Sequence, residues 1–152
     1  MDVDVFIRQE VQNQGFNLAT EEGQNRVVWM QEAWRWAQEI SGGSLYIPIS
    51  VVEQLGRLVE PEANELGSRY HSGVDVRVGD RHCPSFQDVR TLLSFWCQHV
   101  SAHASPLEAY RIFQLIHPFR DGNGRVGAIL YCWLTGTLDD PTEHPDDLIG
   151  WS

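Results

Sequence analysis

Apolar residues recur at helical spacing over the first forty positions. "MDVDVFIRQEVQNQGF" carries the pattern of a short amphipathic helix. "TEEGQNRVVWMQEAWRWAQEI" carries that of a longer one, with Val28, Trp29, Ala33, Trp36, Ala37 and Ile40 at helical intervals. Ser41-Gly42-Gly43 marks its end. After the extended "LYIPIS", Ser50 and Glu53 read as a capping box before a short helix from Val51 to Val59, which Pro61 closes. The period then changes to two. In "GSRYHSGVDVRVGDRHCPS", Val74, Val76 and Val78 alternate with Asp75 and Arg77 between glycines, the pattern of a half-buried strand or hairpin and the only strand signal in the chain. Ser85 with Asp88 starts a helix through Val89, Leu92, Leu93, Trp96 and Val100, expected to fray near His99. Ser105-Pro106-Leu107-Glu108 is a capping box with proline at the first helical position. The helix it opens places Leu107, Tyr110, Phe113 and Ile116 on one side and must stop at Pro118. A last helix resumes within "NGRVGAILYCWLTG" and ends near Gly136, before the acidic tail "TLDDPTEHPDDLIGWS".

Between the last two helices the chain reads "IHPFRDGNGRVGAIL", an apolar approach, a polar run and an apolar exit. If His117 ends one helix and the next begins near Gly124, the loop between them is an anion site. Its glycines let the backbone approach closely, and the amides of a helix N-terminus carry partial positive charge. Arg125 adds a fixed cation, Asn123 donates or accepts, and Asp121 offers the hard oxygen that Mg²⁺ prefers beside substrate phosphates. His117, with an ordinary pKa near neutrality, is the general base of the set. Competing readings are weaker. An isolated DGNG makes a tight turn. An EF-hand would need Asp or Asn and then Gly where Arg125 and Val126 stand, and a final Glu where Cys132 stands; a Walker A loop would need G-K-[ST].

The nine residues His117-Pro118-Phe119-Arg120-Asp121-Gly122-Asn123-Gly124-Arg125 resemble the signature of Fic-domain proteins, HxFx[D/E]GNGRxxR. Upstream, "YHSGVDVRVGDRHCP" is similar to that family's flap hairpin and "AYRIFQLI" to its motif-bearing helix, so the resemblance runs roughly from Arg69 to Gly136. It implies a mostly α-helical fold with a small β-hairpin flap over the active-site loop, and transfer of AMP from ATP to a hydroxyl of a target protein. Carried over by position, His117 would deprotonate a Ser, Thr or Tyr, and Asp121 would hold Mg²⁺. Gly122, Asn123, Gly124 and Arg125 would bind the phosphates, with Phe119 anchoring the loop. The flap, at Val76, Arg77, Val78 and Gly79, would dock an extended segment of the protein substrate by β-augmentation. An antitoxin or other inhibitory partner also belongs to what the resemblance admits.

Two positions depart from the family pattern. The last arginine of the motif falls on Ala128, which removes a cation from the outer phosphates. The self-inhibitory pattern [S/T]xxxE[G/N] is half matched by "NLATEEG", which has Glu22-Gly23 but Leu18 where Ser or Thr belongs. Hence two further readings stand beside AMP transfer: a nucleotide- or partner-binding protein with weak or no transfer, and transfer from a different donor, whether another nucleotide, phosphocholine or a phosphoryl group. Away from the loop, Cys97, His99 and His103 have the spacing of a partial zinc site without the residues to complete it. Trp29, Trp34 and Trp36 read as packing and partner surface.

Size and charge narrow the picture. At 152 residues with 42% hydrophobic residues and six tryptophans, the chain predicts a single domain over 1–152, with a motif-bearing core at about 50–136, N-terminal helices over 1–43 and the tail over 137–152. Eleven basic against 21 acidic side chains give −10, which disfavours a nucleic-acid partner but not a small anion held by local amides. Cys83, Cys97 and Cys132 form an odd set that suits a reducing compartment. No secretory leader pattern opens the chain and no apolar run is long enough to span a bilayer, so the expectation is a cytoplasmic protein without a membrane partner.

Overall fold

In the computed structural model, which describes residues 1–144, α1 (Val3–Asn13) starts at Asp2, whose side chain accepts the Val5 N–H. α2 (Glu21–Ser41) starts at Thr20, whose side chain accepts the Gly23 N–H, and ends on left-handed Gly42. Its buried stripe is Gly23, Val27, Met30, Ala33, Trp34 and Ala37. It shares only Ala33 and Ala37 with the stripe the spacing predicts, and Val28 is 47% and Ile40 40% exposed. Apolar residues lie on more than one side of α2, so periodicity identifies the helix without fixing its rotation. Contact with α1 and Leu138 fixes it, because the Phe6 ring packs 5.3 Å from that of Trp34 and the Trp34 indole donates to the Leu138 carbonyl at 2.8 Å.

α3 (Ile49–Val59) follows Pro48 with no side-chain cap, so the expected Ser50–Glu53 box does not form. The helix begins early enough to place Ser50 inside its first turn. Glu53 turns inward instead and accepts from the Ser68 hydroxyl at 2.8 Å and from the Ser68 N–H. A one-turn helix, α4 (Arg69–Ser72), leads to an antiparallel hairpin of β1 (Arg77–Val78) and β2 (Arg81–His82). Arg77 pairs with His82 and Val78 with Arg81, and Gly79 takes a φ of 58° in the turn.

α5 (Phe86–Phe95), capped by Ser85, does not fray near His99. It runs on through a π turn at Trp96–Val100 into α6 (Ser101–His103). The fully buried Trp96 holds this junction by donating to the Ala109 carbonyl at 2.8 Å. α7 (Pro106–Ile116) has the predicted Ser105 cap, and its buried face is Ala109, Phe113 and Ile116. α8 (Asn123–Thr135) ends at left-handed Gly136 and packs against α7, α3 and α2. It is buried nearly all round, with Val126, Ala128, Ile129, Leu130, Cys132 and Trp133 in the same core cluster as α1 to α3, α5 and α7. The fold is mostly helical with one two-stranded hairpin, and α8 is the central helix on which the polar loop is mounted. Residues 145–152 of the acidic tail lie outside the described residues.

Candidate active-site loop

The polar loop is held from three sides. Phe119, fully buried, seats its ring where α3 has Gly56; a Cβ there would stand 2.1 Å from the ring. The Asn123 side chain closes the loop on itself, accepting the Phe119 N–H and donating to the Phe119 carbonyl, both at 2.9 Å. The Asn64 amide donates to the carbonyls of Asp121 and Gly56, both at 2.9 Å, tying the loop to α3. Gly122 takes a φ of 80°, and a Cβ on it would come within 2.9 Å of Val59. Glycine is therefore required there twice, for conformation and for space.

His117 caps α7 in the left-handed region, φ 50°, the one described non-glycine residue with positive φ. Burial pushes its imidazole pKa down to about 4; the Gln114 backbone opposes this, Arg81 and Arg69 push the same way as burial, and Asp121 opposes. At neutral pH the ring is uncharged and able to accept a proton. Asp121 is the open member of the loop, its side chain 55% exposed, with one oxygen accepting the Gly122 N–H at 2.7 Å. A single exposed carboxylate beside the uncapped start of a helix has the donor chemistry of Mg²⁺, which binds through one or two carboxylates plus substrate oxygens and keeps its waters. α8 begins with no side-chain cap, so its first amides are the donors a phosphate would use. At Gly124 a Cβ would meet the Gln14 carboxamide at 2.5 Å, so the end of α1 rests on the loop.

Arg125 does not open to solvent. It is 1% exposed and bonds the Glu60 carboxylate at 3.0 Å and the Val59 carbonyl at 3.2 Å. Glu60 is shared with Arg26 of α2, whose Nε donates to it at 2.9 Å. The Phe16 ring lies beside both guanidiniums, 4.7 Å from that of Arg26 and 5.4 Å from that of Arg125. Asp121 is 3.6 Å from Arg125 on the loop side. Glu60 is thus the carboxylate paired with Arg125, the one arginine at the end of the motif that this chain keeps. Thr20 of the half-matched "NLATEEG" caps α2, and Ala128 is fully buried in the core.

Gln14, Arg26, Glu60, Asn64 and Arg69 surround the loop with little signal of it in the sequence pattern. None belongs to a local motif; each reaches the loop from a distant segment, and only the run of polar residues at the close of an apolar helix, "RLVEPEAN", hints at an inward role. The zinc candidate does not assemble. Cys97 is buried while His99 and His103 are exposed, and among the described residues no three metal-ligating side chains gather.

A family model for the Fic/DOC family matches residues 49–135. The chain belongs to the Fic/DOC family. No curated protein matches it. Members of this family are typically transferases, and the matched span runs from the first residue of α3 to the last of α8. Within this Fic domain, Val76, Arg77, Val78 and Gly79 form the first arm and turn of the hairpin. Arg77 and Gly79 face solvent, Val76 and Val78 are half-buried, and Val76 adds one further link by accepting the Cys83 N–H at 3.3 Å. No helix among the described residues is long and apolar enough to cross a membrane.

Proposed function

We propose that this Fic/DOC chain is a protein adenylyltransferase that moves AMP from Mg·ATP to a Ser, Thr or Tyr hydroxyl of a target protein. The observation that supports this best is the pairing, across one braced loop, of a neutral, half-buried His117 with the uncapped start of α8. His117 takes the proton as the target oxygen attacks the α-phosphorus, the bond to the bridging oxygen breaks, and pyrophosphate leaves. The amides of Asn123 and Gly124 hold the phosphates, Gly122, whose N–H is taken by Asp121, lets the backbone approach them, and Arg125 adds its charge from beneath the loop. Asp121 would hold Mg²⁺, which when bound would supply positive charge beside the phosphates. Val76 to Gly79 dock the target strand, leaving the nucleotide to the loop. The partner is a protein substrate, with an inhibitory partner or antitoxin admitted by the family. The setting is the cytoplasm, where three free thiols persist.

A second reading has an observation of its own. Arg125 is committed to Glu60, and Ala128 offers no second cation, which favours a domain that binds nucleotide and transfers it weakly or prefers another donor. Incubating wild-type protein and His117→Ala with α-labelled ATP, Mg²⁺ and cell lysate separates the two. The adenylyltransferase reading expects labelled protein with wild type and a loss of roughly 10²–10⁴-fold or more in a folded His117→Ala, with nucleotide affinity retained. Equal labelling by the two proteins would overturn it.

A further inference from the structure

Arg69 is fully buried, and every acceptor of its guanidinium is a main-chain carbonyl. Its Nε donates to His117 at 2.8 Å and one terminal nitrogen to Ile116 at 3.0 Å. The other terminal nitrogen reaches Val74, at the stem of the hairpin, at 3.5 Å. Its own N–H donates to Pro118 at 2.8 Å, and its carbonyl accepts the N–H groups of Gly73 and Val74. One residue therefore touches Ile116, His117 and Pro118 on one side and the flap stem on the other. The last carbonyls of a helix lack intrahelical partners and favour a cation, and a guanidinium presents donors in a rigid fork that a single ammonium cannot reproduce. A left-handed histidine persists only where its surroundings over-determine it.

We infer that Arg69 is a positioning residue, which sets the backbone of His117 and the base of the hairpin from one buried guanidinium. The base and the target-docking edge are thereby kept in fixed relation. The inference rests on the adenylyltransferase reading for what His117 does, but not for where Arg69 holds it. Its charge also falls on the imidazole, together with that of Arg81 and against that of Asp121, while Asp75 and Cys83 act on Arg69 itself.

The test compares Arg69→Met and Arg69→Lys with wild type by NMR titration of the His117 ring in nucleotide-free protein, Mg·ATP affinity and transfer rate. Arg69→Met removes fork and charge, so the His117 pKa rises from about 4 and transfer falls by roughly 10²-fold, the cost of a small misplacement, with Mg·ATP affinity within about twofold. Arg69→Lys keeps the charge and loses the fork, so the His117 pKa stays low while transfer still falls. A folded Arg69→Met with wild-type titration and wild-type transfer overturns the inference. If wild type transfers nothing, the titration alone decides: an unchanged pKa in Arg69→Met overturns the inference, and a raised one supports it while the adenylyltransferase reading fails. If Arg69→Met does not fold, Arg69→Lys decides, and unchanged transfer in it counts against the positioning role.

Discussion

Replacing Glu60 with glutamine keeps the shape of the side chain and removes the negative charge shared by Arg26 and Arg125. The contacts are 2.9 Å and 3.0 Å, with side-chain exposure of 2% for Glu60, 1% for Arg125 and 17% for Arg26. Water cannot replace the lost charge at Arg125, and the two guanidiniums then repel each other across a neutral amide. Breaking a buried pair from one side costs about 3–5 kcal/mol, because it strands the other charge. That is a large part of the roughly 5–15 kcal/mol that holds a domain of this size together. With a urea slope of about 1–3 kcal/mol/M, the midpoint of Glu60→Gln should fall by on the order of 2 M. Arg26→Gln in the same chain should recover part of the loss by removing the repulsion, which a double-mutant cycle reads as coupling. A loss below about 1 kcal/mol, the value of an exposed pair, would refute the burial of this triad as the cause.

Asn123→Ala strips two buried main-chain groups of Phe119 of their partners and should cost about 2–6 kcal/mol in urea unfolding, at about 1–3 kcal/mol per stranded group. The pH dependence has a definite sign. Because the folded His117 pKa, about 4, lies below the unfolded value near 6.5, its contribution is fully present above pH 6.5 and is lost as pH falls from 6.5 to 4. The loss amounts to on the order of 3 kcal/mol, and urea midpoints of His117→Asn, which tolerates the left-handed backbone, should show a flatter profile over that window. Ala128→Arg should not tighten Mg·ATP binding. The site is fully buried, so overpacking and an unpaired charge cost at least about 1–3 kcal/mol, visible as a Tm lower by several degrees.

The elements were legible wherever a local signal decided them. The caps at Ser85 and Ser105 and the stop at Pro118 appear where the spacing places them, and of the alternating run Val74, Val76 and Val78 only Arg77–Val78 becomes strand, with the alternation kept as half-buried valines between exposed neighbours. What failed depended on tertiary contact. The rotation of α2 is chosen by α1 and Leu138, the Ser50–Glu53 box is lost because Glu53 serves Ser68, and the helix past His99 is carried by the Trp96 anchor. The loop shows the same division. Its residues are contiguous and were read together, but the groups that brace it, Glu60, Asn64 and Arg69, come from segments about 50 to 65 positions away in sequence. The motif names the loop's own atoms; the burial of Arg125 depends on Glu60, which no local pattern reveals.

On the proposed function, this loop presents the α-phosphorus of ATP to a protein hydroxyl. Parallel reactions with ATP labelled at the α or the γ phosphate, with Mg²⁺ and the same lysate, test it most directly. The account predicts that the α label becomes protein-bound and the γ label leaves with pyrophosphate. Protein-bound γ label without α label would contradict it.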